Sequence, residues 1–414
     1  MLVLSYYYIS VLKQKHEIEM RYIMKNYSKI TPEGTKDFLF EECLSTRTVS
    51  HILGEVFSQR GFHEVLTPGV EFYDVFSNPA AQIPQENMFK LSDSKGRLMV
   101  VRPDSTLPIA RMTATRLQNE VLPIRLYYNQ RVYRNNRGLT GRSNEVMQTG
   151  IELLGISGKR ADLEIITTAI EALTRCVPDF RIELGHAGFF KALLNKLPVS
   201  DNEREDIHSF IEAKNYSALN SFLDTLEQTK AVAAIRRLPR LFGGEEVLNE
   251  ASELCDDNDA LRPLEYLTKF GLGERLMIDL GLAQRNDYYS DIVFSGYVEG
   301  SGEPVLIGGR YDKLLDIFDS PMPASGFGIN VDALAKVMLS RGQIKMKPLP
   351  DVLIHGDDSF EVKSIKHYQA LTQSGLICEN SVFSTRDEAI AYAKKKGIAR
   401  IDFVNEEVET VLLN

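Results

Sequence analysis

The chain has 414 residues, 43% of them apolar and 25% charged, with a formal charge of −9. That length predicts two or three domains with an ample core. The acidic balance disfavours a protein that coats nucleic acid, though an enzyme acting on RNA can keep a local basic face on an acidic chain.

Residues 1–23 begin MLVLSYYYISVLKQK. The apolar run has no basic residues ahead of it and no small-residue cleavage site, and it is too short to span a bilayer. Met24 opens MKNYSKITPEGT, a more natural start, so residues 1–29 are read as an N-terminal extension, expected to be poorly ordered. Residues 30–39 form a turn-rich entry. A helix over 42–59 follows, with Val49, Ile52, Leu53, Val56 and Phe57 on one face and Gly61 as its stop. FHEVLTPGVEFYDVF, 62–76, alternates like a strand until Pro68, which removes a ladder donor and belongs at an edge or interface.

Residues 88–102 read as a hairpin with its turn at Asp93-Ser94-Lys95-Gly96. The hairpin runs into Arg102-Pro103-Asp104-Ser105-Thr106, where Asp104 or Ser105 can cap a helix over 107–117. The most informative stretch is 127–155, YYNQRVYRNNRGLTGRSNEVMQTGIELLG. Its ends are strand-like and its middle is rich in Asn, Gly, Ser and Arg, which predicts two antiparallel strands joined by a long basic loop. Arg134, at the end of the first strand, is placed to grip an anion. On this stretch alone, solvated arginines at 131, 134, 137 and 142 are the simpler reading.

A helix over 161–176 carries Leu163, Ile166, Ile170 and Leu173 on one face. A strand over 180–185 leads to His186, read as structural. GISGK at 155–159 is not a phosphate loop, because Arg160 stands where Ser or Thr is needed. Over 198–272 strand signals vanish and helical patterning predicts an inserted helical subdomain. A strand over 276–282 resumes the sheet. Residues 342–350 read as a linker and 351–414 as a small α/β domain. Counting 348–414 gives 7 Lys+Arg against 11 Asp+Glu, a net of −4. The four cysteines, at 43, 176, 255 and 378, form no CxxC and have no histidine at metal-ligand spacing. They are read as free thiols in a reducing cytoplasm, and no structural metal or cofactor is expected.

Several of these segments resemble the histidyl-tRNA synthetase version of the class II aminoacyl-tRNA synthetase motifs. Pro68 lies where the first motif has its dimer-interface proline. Tyr133-Arg134-Asn135-Asn136, then Gly141-Arg142-Ser143-Asn144-Glu145, then Gln148, Gly150 and Glu152, resemble the second. Arg102 to Thr106 resembles R-P-E-x-T. Residues 284–294 resemble R-G-L-D-Y-Y-T-G-x-V-F, matching at Asp287, Tyr288, Tyr289, Val293 and Phe294. Gly308 to Asp312 matches G-G-R-Y-D, and 326–333 lies where the third motif is expected. The resemblance spans 30–341, with the helical insertion at 198–272. It implies an α+β fold: a class II synthetase-like antiparallel sheet flanked by helices, a helical insertion and a small C-terminal α/β domain.

The resemblance also assigns roles. Asp104, Thr106 and Gln148 would take the amino group of histidine. Glu152 and Tyr289 would hold the imidazole, with Tyr288 and Arg134 in the same pocket and Tyr311 closing it. The activation positions depart from the family. Asn136 replaces the glutamate of the second motif, Gln284 replaces the arginine ahead of D-Y-Y with Arg285 one place off, and Ala333 replaces the arginine of the third motif. Keeping the amino-acid site while losing the activating arginines resembles the regulatory subunits of ATP phosphoribosyltransferase. That likeness implies no catalytic residues. It also implies a hetero-oligomer with a short-form catalytic subunit, self-association as a dimer through the core, histidine as ligand and feedback control. No nucleic acid or membrane partner is expected. An active or divergent histidyl-tRNA synthetase and a histidine-binding module serving another partner are the alternatives.

Overall fold

The computed structural model of the chain describes residues 27–78, 83–136, 142–254, 260–270, 275–282, 288–345 and 349–413. The chain divides between Ile344 and Lys345 into two compact units. The first opens with the helix Phe40–Gln59, then β1 (His63–Glu64), β2 (Val70–Phe72), β3 (Lys90–Ser92), β4 (Leu98–Val101) and the helix Thr106–Arg116. β5 (Ile124–Tyr133) and β6 (Glu145–Leu154) form the central hairpin, followed by the helix Lys159–Cys176 and β7 (Phe180–His186). After the insertion, which holds β8 (Phe242–Gly243), come β9 (Leu276–Asp279), β10 (Ile292–Val298), β11 (Leu306–Arg310), β12 (Ala324–Asn330) and the helix Val331–Ser340.

Nine strands form one sheet in the order β1-β5-β6-β12-β11-β10-β7-β9-β8. All neighbours are antiparallel except β1 with β5 and β7 with β9. The central pair sets Ile124 opposite Leu154 and Tyr133 opposite Glu145. Alternation then sorts side chains to two faces. Tyr127, Ile151 and Leu153 join a core built with Val49, Leu53, Val56 and Phe57 of the first helix. Leu126, Tyr128 and Leu154 join a second core with Leu107 and Ile109 of the helix Thr106–Arg116. The sheet is thus covered on one face by helices of the first core and on the other by the elements of the second.

Three local readings change. The stretch 62–76 is two strands in two sheets: β1 pairs with β5, while β2 pairs with β4 in a three-stranded sheet. Pro68 falls at the break, and its carbonyl accepts from Arg102 Nη1 at 2.9 Å. The inward face of the helix Lys159–Cys176 is Ile165, Ile166, Ala169, Ala172 and Leu173, with Leu163 and Ile170 only partly buried. The 198–272 segment is helical over 201–212, 216–223, 230–237, 246–254 and 262–268, yet Phe242–Gly243 pairs with β9 and extends the sheet. A two-residue strand is held by its neighbour's ladder and leaves no periodic signal.

The second unit carries β13 (Val352–Gly356), β14 (Cys378–Asn380), β15 (Arg400–Val404) and β16 (Val408–Leu412) in the order β14-β13-β15-β16. β13 is parallel to both neighbours and β16 is antiparallel. The helix Glu361–Gln373 packs against one apolar cluster and the helix Arg386–Lys396 against another. Among the described residues, no helix is long and apolar enough to cross a membrane.

Candidate ligand-binding site

Glu152 lies in β6 between the inward-facing Ile151 and Leu153, so its side chain emerges on the opposite face of the sheet. It is 2% exposed. Thr106 Oγ1 donates to Glu152 Oε1 at 2.7 Å, and the Tyr311 hydroxyl donates to Oε2. Across the strand pair stands Gly326, where a Cβ would collide with the Glu152 carboxylate. Only glycine leaves that space. Burial pushes the Glu152 carboxyl up to about 8; the two hydroxyls pull the other way and nearby Asp104 adds to the rise.

Asp104 takes the capping role that its position allowed. Its Oδ1 accepts from the Leu107 backbone N–H at 3.0 Å and so caps the helix Thr106–Arg116. Its Oδ2 stands 4.0 Å from Arg134 Nη2. Burial raises the Asp104 pKa, opposed by Arg134 and by the backbone N–H groups at the helix start. Arg134 is half exposed and donates from Nε to the Pro103 carbonyl at 2.8 Å. It is therefore turned toward the carboxylate pocket. Gln148 Oε1 accepts from Tyr128 at 3.4 Å. The Tyr288 ring lies 4.8 Å from that of Tyr289 and 5.7 Å, edge-on, from that of Tyr311. Burial raises the Tyr128, Tyr288 and Tyr311 hydroxyls well above their ordinary value.

The structure thus gathers Asp104, Thr106, Arg134, Gln148, Glu152, Tyr288, Tyr289 and Tyr311 into one cluster, with Gln148 and Glu152 on β6, Thr106 at a helix start and the others just outside the strands. It adds one residue that the sequence reading missed. Tyr128 is 1% exposed and its charge environment is set by Glu152, Asp104, Tyr289 and Arg134. The signal was available: Tyr128 shares the even-numbered face of β5 with Leu126. Such an arrangement suits a small ligand carrying cationic donors, since hydroxyls and carboxylates accept hydrogen bonds and Tyr rings line the walls.

The activation positions are occupied otherwise. Asn136 Nδ2 donates to the Ser143 carbonyl at 2.8 Å and its N–H donates to Asn144 Oδ1 at 2.9 Å, tying the hairpin loop to itself. Ala333 sits at the start of the helix Val331–Ser340; its N–H donates to Asn330 Oδ1 at 3.0 Å and its side chain packs against the helix-side core. Gly141, Gln284, Arg285 and Asp287 lie outside the described residues. Two motif arginines are structural. Arg102 is 5% exposed and donates to the carbonyls of Thr67, Pro68 and Arg131. Arg310 is 1% exposed and binds Asp162. His186 caps the helix Ala187–Asn195 by accepting from the Phe189 N–H and pairs with Asp291 at 2.7 Å. Among the described residues, no group of three or more His, Cys, Asp or Glu side chains is placed to hold a metal ion.

Comparison with known proteins agrees with this geometry. The sequence model of the family described as Histidyl-tRNA synthetase matches residues 34–334. The ATP phosphoribosyltransferase regulatory subunit of Clostridium kluyveri is 39% identical over 386 residues, 91% of this chain and 99% of that protein. The protein of the same name from Bacillus mycoides is 35% identical, covering 91% of this chain and 92% of its own length. Among solved structures, an ATP phosphoribosyltransferase regulatory subunit/histidyl-tRNA synthetase from Bacillus halodurans superposes with a TM-score of 0.79 at 27% identity, over 92% of this chain and 99% of that one. The histidyl-tRNA synthetase of Nostoc sp. PCC 7120, at 21% identity and a TM-score of 0.72 over 93% and 97% of the two chains, shares the fold. With likeness of this depth along nine-tenths of its length, on a histidyl-tRNA synthetase-like core, the chain belongs to the family of ATP phosphoribosyltransferase regulatory subunits.

Proposed function

We propose that the chain is a non-catalytic subunit that assembles with a short-form ATP phosphoribosyltransferase catalytic subunit in the cytoplasm. There it is required for the first step of histidine biosynthesis and carries feedback by histidine. The observation behind the reading is an asymmetry. The residues that the resemblance assigns to histidine include Thr106 and Glu152, which bond each other, while Asn136 and Ala333 serve a loop and a helix start. Adenylate formation needs preorganised cations at developing negative charge; an amide and a methyl group supply none.

In the bound state, Asp104, Thr106 and Gln148 take the ammonium of histidine and Arg134 faces its carboxylate. Glu152 and Tyr289 hold the imidazole, with Tyr288 beside it and Tyr311 over it. Histidine then shifts the assembly toward whichever arrangement binds it more tightly, typically with about 1–3 kcal/mol of coupling. The subunit pairs with a second copy through the segment around Pro68. Leu66 (76%), Val70 (40%) and Phe72 (40%) are exposed there, an apolar run that a partner would cover.

The test is phosphoribosyl-ATP formation by the catalytic subunit of the same organism, with and without this chain and with and without histidine. The reading expects activity that requires the chain and falls with histidine. A second reading, a working histidyl-tRNA synthetase, is favoured by the retained Arg134. Histidine-dependent pyrophosphate exchange by the chain alone, with no effect on the catalytic subunit, would establish it.

A further inference from the structure

We infer that the pocket binds histidine with its imidazole protonated, the additional proton being handed over by the Glu152 carboxyl. This rests on the histidine-binding reading above and concerns which form of the ligand the site accepts.

The argument starts from what faces Glu152. Its two oxygens accept from the Thr106 and Tyr311 hydroxyls. Asp104, from the segment ahead of the helix Thr106–Arg116, acts on it as a second carboxylate. Tyr128 of β5 faces it, as does Tyr288 from the segment before β10, where Tyr289 also stands. Tyr311 follows β11. The nearby cation, Arg134, stands beside Asp104 and is fastened to the Pro103 carbonyl. Among the described residues, Glu152 is therefore a carboxyl at 2% exposure that meets hydroxyls and a like charge and has no cation of its own. Burying an ionised carboxylate in that state is costly, and the neutral acid is the favoured form of the empty site. Its shift up to about 8 has the same cause.

Each carboxyl oxygen has two acceptor sites, and the hydroxyls occupy one on each. In the neutral acid one of the remaining sites holds the acid proton, and that is where a ring nitrogen of the ligand would meet the carboxyl. The transfer balances simply. The Glu152 O–H bond breaks, the lone pair of a ring nitrogen forms the new N–H bond, and the released electron pair stays on the carboxylate. Against an ordinary imidazole pKa of about 6.5 the transfer runs roughly 30-fold uphill. The contact between imidazolium and carboxylate in a partly dry site favours it by roughly a thousandfold, so the ion pair wins. The site would then reject an amino acid with a ring of the same size that cannot accept a proton.

The experiment uses the full chain and L-histidine labelled with nitrogen-15 in the ring. At pH 7.5, where free histidine is mostly neutral in the ring, the bound ligand should show both ring nitrogens protonated. Calorimetry in two buffers of different ionisation heat should show no net proton exchanged. A bound ring with one unprotonated nitrogen overturns the inference and leaves the histidine-binding reading intact. So does uptake of one buffer proton per histidine, because Glu152 would then already be ionised. Glu152→Gln should bind histidine at least tenfold more weakly and with a neutral ring; a ring still doubly protonated in that variant means another donor and also overturns it. Failure of the wild-type chain to bind histidine would remove the reading and the inference together.

Discussion

Of the buried carboxylates of this sheet domain, Asp162 and Glu152 are the most enclosed, at 2% exposure each, and they have opposite fates. Asp162, in the first turn of the helix Lys159–Cys176, is 2% exposed and meets Arg310, itself 1% exposed. Arg310 Nε lies 3.1 Å from Asp162 Oδ1, and the same guanidinium reaches the Gly158 carbonyl at 3.2 Å and Asp312 at 3.3 Å. Burial still lifts Asp162 to about 6, but the arginine keeps it ionised at neutral pH. Among the described residues, Glu152 has hydroxyl partners only, and burial lifts it to about 8. A fold that supplies a counter-ion has made a structural clamp. On the proposed reading, a carboxyl buried without one leaves the counter-ion to come with the ligand.

The contrast can be broken most forcefully at Arg310. Arg310→Met should lower the unfolding free energy by about 3–5 kcal/mol, since it strands Asp162. Denaturant titration measures it, and a loss under 1 kcal/mol would mean that the clamp is not the structural member of the comparison. Next is the pH dependence of the unliganded chain. A carboxyl at about 8 in the folded state and about 4.5 in the unfolded state contributes stability that is fully present below pH 4.5 and is lost as pH rises toward 8. The wild-type chain should therefore lose a few kcal/mol relative to Glu152→Gln across that window. Parallel pH profiles for the two proteins would contradict it. A smaller effect attends Thr106→Val, which removes one hydroxyl from Glu152. Histidine affinity should fall by about 1 kcal/mol, roughly fivefold, by calorimetry. Least of all is expected from Ala333→Arg. Histidine-dependent pyrophosphate exchange should stay at background, because Asn136 and Gln284 remain. Measurable adenylate formation would show that one arginine was all that was missing.

Much of this was legible in the sequence, for physical reasons that differ by element. The central hairpin announces itself through apolar and aromatic, strand-like runs at both ends of a loop rich in Asn, Gly and Ser, and β5 and β6 pair over ten residues each. The candidate site residues were legible through the resemblance to the histidyl-tRNA synthetase motifs, which assigns them position by position; of them only Gln148 and Glu152 lie within a strand. Tyr128 was not singled out: a tyrosine in a strand reads first as core, and Tyr128 is also core. The two-residue strand Phe242–Gly243 could not be read, because it exists only through its pairing with β9. Nor could the structural work of Arg102, which depends on carbonyls at Thr67, Pro68 and Arg131 coming together in space.

The central claim is that the Glu152 pocket is the histidine site, and a calorimetric titration of L-histidine into the full chain and into Glu152→Ala tests it most directly. The account predicts saturable binding to the wild-type chain, weakened by about 2 kcal/mol, roughly 30-fold, when the anionic partner of the imidazole is removed. Equal affinity in the two proteins would place the histidine site elsewhere and contradict the account.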